Sequence, residues 1–294
     1  MAGSIRACVM TERGLWLEGL KRLRRNRAAI VAGAVLLFML LLAFAGPALS
    51  PHDAETLDWE HIAVAPQFSA AGHWLGTDRL GRDLFVRTLQ ATQISLLIGL
   101  LATAVSLLIG ISWGALAGYL GGRTDELMMR AVDVLYSLPY LFIVIILTTV
   151  FARGNVYVLF MAIGAVGWLT MARIVRGQAL SLKQKEFVEA AVVAGVATPG
   201  ILVRHIVPNL LGPVIVYATL AIPQMILYES FLSFLGLGVQ EPLASLGSLI
   251  NQGARDIESA PWILLVPAGF LVTLLVCFNF VGDGLRDAFD PRER

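Results

Sequence analysis

Glu186–Asn209 reads EFVEAAVVAGVATPGILVRHIVPN, a charged, helix-forming stretch caught between apolar runs long enough to cross a bilayer. Within it Phe187, Ala190, Ala191 and Ala194 fall at i, i+3, i+4 and i+7. A helix starting near Leu182 would therefore carry one apolar face of mostly small side chains, able to enter a cleft. Gly195 suits the end of that helix, and Thr198 and Pro199 are placed as N-cap and first-turn residues of a second one. Pro208 marks the approach to the next apolar run, since proline is tolerated in a first turn and disfavoured deeper in. The segment is expected to fold as helix, turn, helix.

The flanking runs make the surroundings a membrane. The chain has 294 residues, 57% hydrophobic and 15% charged, with a mean hydropathy of +0.75. Soluble domains average about 45–50% apolar and about 25% charged. Taking about 20 apolar residues as one span of a roughly 30 Å hydrocarbon core, six spans are predicted near Ala28–Leu49, Gln93–Leu120, Leu127–Phe151, Val156–Ile174, Leu210–Leu235 and Pro261–Val281. The fold class expected is an all-α integral membrane protein. With the amino terminus inside, only Arg79, Arg82, Arg87, Arg153 and Arg255 of the 22 Lys and Arg residues fall outside. The positive-inside rule then puts both termini in the cytoplasm. The cluster Lys21–Arg27 reads as a topology and headgroup anchor, and the net charge of +1 gives no sign of a nucleic-acid partner.

The first span reads as a retained anchor. Its apolar stretch of about 22 residues exceeds the roughly 7–15 of a signal-peptide core, and the small-residue site Ala48-Leu49-Ser50 is followed by Pro51. The organisation expected is a tail over 1–27, the anchor over 28–49, an extracytoplasmic loop over 50–88, a five-span core over 89–283 containing the 176–209 loop, and a tail over 284–294. Cys8, in the N-terminal tail, and Cys277, in the last span, are too far apart in this topology to pair.

In the second span Ala102, Ser106, Gly110, Gly114 and Gly118 recur at every fourth residue. Such a small-residue stripe is expected to be a helix-packing seam, in preference to a pore lining.

Several chemistries find no support. The nearest approach to a phosphate loop, Gly195–Gly200, is followed by Ile201-Leu202 in place of Lys-Ser/Thr, and Gly236-Leu237-Gly238 lacks a third glycine and follows a span. His52, His61, His73 and His205 form neither H-x-x-x-H nor a His/Cys cluster, so no metal site is expected. No G-x-S-x-G elbow or comparable protease pair occurs. Glu229, on the outer half of span five, must face protein or water, because a mid-bilayer carboxylate costs around 2.5–3.5 kcal/mol on insertion scales. The favoured reading is a brace against the external loop, through Arg79 or Arg82; the other is a place bordering the transport path. In the loop Ser50–Thr88, Asp83 and Arg87 are spaced for an i, i+4 pair. That loop is expected to be scaffold, with docking of an external partner as the alternative.

Glu189-Ala190-Ala191, Gly195 and His205-Ile206-Val207-Pro208-Asn209 resemble the EAA motif of permease subunits of bacterial ATP-binding cassette (ABC) importers. HWLGTDRLGRD at His73–Asp83, FLSFLGLGVQEP at Phe231–Pro242 and NFVGDGLRDAFDPR at Asn279–Arg292 narrow the resemblance to the C-type, second permease of the oligopeptide and dipeptide group. After Pro242 that group commonly has Ser-Trp-Gly, where this chain reads Ala244-Ser245-Leu246-Gly247. The resemblance implies a type I importer permease fold in the bacterial inner or plasma membrane, working with a homologous B-type permease, two cytoplasmic ATPases and an extracytoplasmic solute-binding protein. It implies that ATP and Mg are bound by the ATPases, with no cofactor in this chain. Glu189, Ala190, Ala191, Gly195, His205, Pro208 and Asn209 become the ATPase-coupling residues, Glu229 a pathway or structural charge, and Asp78, Arg82 and Asp83 candidate extracytoplasmic contacts. Short peptides are the expected cargo; nickel chelates, glutathione or modified peptides are the alternatives within the family. A stand-alone secondary transporter would be expected to show inverted repeats, and no convincing repeat is seen.

Overall fold

The computed structural model describes residues 22–67, 69, 72–151 and 155–289. Cys8, Lys21, Arg153 and the C-terminal Arg292 lie outside them. The described residues are helical apart from loops and one isolated bridge between Thr77 and Asp83. In chain order the helices are α1 (Arg27–Leu49), α2 (Leu84–Leu120), α3 (Gly122–Ser137), α4 (Tyr140–Phe151), α5 (Val156–Lys183), α6 (Glu186–Val193), α7 (Thr198–Phe234), α8 (Leu246–Ala254) and α9 (Trp262–Phe289).

Five of these, α1, α2, α5, α7 and α9, are long and apolar enough to cross a membrane; α3 and α4 supply a sixth crossing only as a pair bent by 84°. The expected span Leu127–Phe151 is thus a bent one. Pro139 is the cause: it disfavours a helical conformation at Leu138, which is extended, and it offers no N–H to the preceding turn.

The centre of the bundle is the α2–α5 pair, joined along the small-residue stripe. A Cβ on Gly110 would meet the Met171 side chain, one on Gly114 the carbonyl of Ala172, and one on Gly118 the carbonyl of Arg176. In return Gly164 of α5 lies against the backbone of Ala102 and the side chain of Val105. The stripe is thus a packing seam, allowing dispersion contact between two backbones that lipid could not improve on. α7 crosses α2 where Ile226 fills the space beside Gly99, and α9 meets α7 at Gly282 and α1 at Gly284. Outward residues such as Val31, Phe38, Phe44, Leu108 and Leu265 are exposed, as a lipid-facing surface requires.

α7 contains Pro208, Pro213 and Pro223. Immediately before Pro208 the helix loosens into a π-helical turn over Leu202–Ile206, with the Val207 N–H donating to the Leu202 carbonyl. Such a turn absorbs the missing proline donor without ending the helix. The second helix of the Glu186–Asn209 segment and span five are therefore one continuous rod, where a break had been expected.

Candidate functional site

One candidate site is built from the end of α5, from α6 and from the start of α7. α5 runs through Leu182 and stops at Lys183, and α6 begins after Lys185, four residues later than predicted. At its end α6 makes both bonds of a Schellman motif: Gly195 N–H donates to Val192 O at 3.0 Å and Val196 N–H to Ala191 O at 3.1 Å. Gly195 has φ +76°, the left-handed conformation that favours glycine. The next helix starts one residue earlier than expected, with Ala197 as N-cap and Thr198 and Pro199 in its first turn.

The predicted docking face splits in two. Val188, 1% exposed, and Ala191 are buried among Val175, Ala179, Ile201, Ile206 and Leu210, and hold α6 to the bundle. Ala191 is thus an anchor and not part of the outer face. The outer surface of α6 carries Glu186, Phe187, Glu189, Ala190 and Val193, which is 88% exposed. His205 lies beside Phe187, with ring centroids 6.4 Å apart. Asn209 Nδ2 donates to the His205 carbonyl at 2.7 Å, and Pro208 is exposed. A pair the sequence reading missed steadies the same end of the bundle: Arg176 Nε donates to Asp125 Oδ1 at 2.5 Å and its Nη2 to Oδ2 at 2.6 Å, tying α5 to the first turn of α3. Its partners are 51 residues apart, too far for any local spacing rule to find.

At the other end, Asp78 and Arg82 form one buried network. Asp78 Oδ1 accepts from the N–H groups of Leu80 and Arg82, Asp78 Oδ2 accepts from Arg82 Nε at 2.8 Å, and Arg82 reaches Glu241 at 3.1 Å. Asp83 caps α2 through Val86 N–H and bonds His73 Nδ1 at 2.9 Å; the expected Asp83–Arg87 pair is absent, and Arg87 faces Asp78 at 3.5 Å. All three candidate contact residues are buried, so they shape the loop from within. Arg79 pairs with Asp256.

Glu229 is 0% exposed. Its carboxylate accepts from Ser95 Oγ at 2.8 Å, Ser233 Oγ at 2.7 Å and Ser230 Oγ at 3.3 Å. Serine hydroxyls, not Arg79 or Arg82, are its partners. Ser95 in turn accepts from Leu246 N–H at 3.2 Å, so the node joins α2, α7 and the start of α8. Leu246 is fully buried, and Gly247 lies directly against the Ser230 carbonyl.

Two cavities of about 430 Å³ each open on the structure. One lies on the outer side among Asp78, Arg82, Glu241, Asn251 and Arg255. The other lies between the α3–α4 elbow, α5 and α7; its polar lining comes from Ser106, Thr170, Gln224 and the tyrosines Tyr136, Tyr140, Tyr217 and Tyr228, and no charged residue lines it. Glu229 borders neither.

A profile of the family described as binding-protein-dependent transport system inner membrane component matches residues 110–294. The chain belongs to this family of transport permeases. A second profile, the N-terminal transmembrane domain of oligopeptide transport permease C, matches residues 14–66. Among relatives, the oligopeptide transport system permease protein OppC of Escherichia coli K12 is 53% identical over 96% of this chain and 93% of its own. The OppC protein of Haemophilus influenzae is 49% identical over 100% and 94%, and the dipeptide transport system permease protein DppC of Bacillus subtilis is 44% identical over 93% and 85%. A chain of the MetNI methionine ABC transporter in an inward-facing conformation superposes with a TM-score of 0.53 at 18% identity, covering 67% of this chain and 93% of that one; it shares the fold. As a permease of this family the protein is a multi-pass inner-membrane subunit of an ABC importer, the type of machine in which permeases work with ATPases.

Proposed function

We propose that this chain is the C-type permease of a peptide importer, forming half of the path for short peptides beside a B-type permease. Two cytoplasmic ATPases would bind ATP and Mg and hydrolyse the nucleotide, an extracytoplasmic binding protein would deliver the cargo, and this chain would hold no cofactor for the transport cycle and catalyse nothing. Both termini lie in the cytoplasm on this reading. The observation that carries it is the outward platform of α6, an apolar and acidic surface locked to α5 and α7 by Val188, Ala191 and the Gly195 turn. A surface held so rigidly passes displacement on to the bundle, because packed cores switch between discrete arrangements and do not deform continuously. Closure of the ATPases would thus move α5 and the rod of α7, and with them the walls of the inner cavity. Its uncharged lining of hydroxyls and an amide suits cargo whose constant feature is the peptide backbone.

The test is purification of this subunit with its chromosomal neighbours in mild detergent, followed by identification of the co-purifying chains and bound small molecules. A second permease, two ATPase copies and a bound peptide are expected. Recovery of this chain alone, transporting without ATP, would sink the proposal, and a bound nickel chelate or glutathione would move the cargo.

A further inference from the structure

In the segment between α1 and α2, one histidine, His73, lies close to two others, His52 and His61. His52 follows the end of α1, His61 sits in a turn, and His73 lies in the segment before α2. The His52 and His73 rings are 4.2 Å apart at 27°, and the His61 and His73 rings 5.8 Å apart. In each of the groups His52, His73, Asp83 and Asp58, His61, His73, one ligand-capable atom per residue lies within 4.8 Å of the others.

Ring orientation decides what such a cluster can do. His73 Nδ1 bonds Asp83 Oδ2 at 2.9 Å, and His61 Nδ1 bonds Asp58 Oδ2 at 2.8 Å. A carboxylate on Nδ1 fixes that nitrogen as the donor and leaves Nε2 as a lone pair, the arrangement that supports metal-bound imidazole. The third ring supplies an independent sign: His52 Nε2 is buried and has no hydrogen-bond partner. Leaving such a nitrogen unpaired is unfavourable, and few native polar atoms are left so. Packing of aromatic rings accounts for the stacking but not for that nitrogen.

We propose that His52, His61 and His73 form a binding site for a first-row divalent cation, zinc above all, with Asp58 and Asp83 orienting two of the rings. Imidazole ligands suit zinc, and three of them with water or a carboxylate complete a tetrahedron. Loading the ion requires the His52 ring to turn out of its stack on His73 and the exposed His61 ring to swing in. The ion would staple the end of α1 to the cap of α2, since Asp83 holds both His73 and the first turn of that helix. The spacings of 9 and 12 residues between the three histidines match no linear metal motif, so the sequence concealed the site.

The assembled transporter, purified through a tag without histidine and stripped of metal, would be titrated with Zn2+ and then with Co2+. Wild type should hold one more equivalent of zinc than His52→Ala/His61→Ala in the same complex, and show the visible absorption of tetrahedral cobalt that the variant lacks. His61→Cys should retain the ion and add a thiolate-to-cobalt charge-transfer band, and Asp58→Asn should weaken binding by roughly 10- to 100-fold. On wild type alone, which requires no variant to fold, zinc should protect His61 from diethyl pyrocarbonate at least tenfold. Equal zinc content in wild type and double variant, or unprotected His61 at saturating zinc, overturns the site.

Discussion

Gly195 and Glu229 act through opposite kinds of constraint. At Gly195 a Cβ would meet nothing within 4 Å, so the penalty of Gly195→Val is conformational, at least the roughly 1–2 kcal/mol that a left-handed L-residue costs. That strain falls on the turn behind α6, and we expect normal insertion with reduced ATPase association, read as ATPase retained per permease on pull-down; undiminished association would remove Gly195 from the coupling device. Glu229 is limited by its partners. Glu229→Leu leaves three serine hydroxyls without their acceptor, at about 1–3 kcal/mol for each buried group left unpaired, so the yield of folded complex should fall while uptake per surviving complex holds. Full assembly with altered uptake would instead put Glu229 on the path. The sequence singled out both residues, because a glycine after a helical run and a charge inside an apolar one are local signals. It named the wrong partners for Glu229, since Ser95 lies 134 residues away and nothing local marks it as an acceptor's neighbour.

At the scale of elements, the α2–α5 seam and the α7 rod differ in how much room their glycines have. Gly114→Val would drive a side chain into the Ala172 carbonyl and Val175, and overpacking of this kind costs about 1–3 kcal/mol. Gly212→Ala, on α7 with open space around it, should be neutral or gain up to about 1 kcal/mol of helix propensity. Thermal melting of the purified complex separates them: a lower transition is expected for the first and none for the second, and equal behaviour would deny that the stripe is a seam. The stripe was legible because its period of four is a property of one helix. The α3–α4 elbow had a legible cause in Pro139, yet hydropathy averaged over a window runs smoothly across it, since the residues on both sides are apolar.

For the whole molecule, topology and path are the quantities to test. A C-terminal green fluorescent protein fusion should fluoresce and a C-terminal alkaline phosphatase fusion should be inactive, as expected of a cytoplasmic terminus; the reverse pattern would invert the bundle. If the inner cavity is the peptide path, Gln224→Ala should raise the KM for peptide uptake about fivefold, the equivalent of one hydrogen bond of roughly 1 kcal/mol, with complex yield unchanged. An unaltered KM with normal assembly would take Gln224 out of the path.

By itself the sequence determined that this protein lives in a bilayer, where the apolar centres of its spans fall, and that a glycine-ended helix stands between the fourth and fifth of them. Those properties follow from local composition and period: hydrocarbon requires about 20 apolar residues per crossing, and a left-handed helix end calls for glycine. Only the tertiary structure decided that Ala191 faces inward, that Asp78 and Arg82 pair beneath the surface, that serines cradle Glu229, that four tyrosines wall an uncharged cavity, and that His73 lies beside both His52 and His61. Each of these depends on which helix or loop lies alongside. Asp78 and Arg82, and Glu229 and Ser233, are each four residues apart, but their burial, like the other contacts, is settled by close packing against residues distant in the chain.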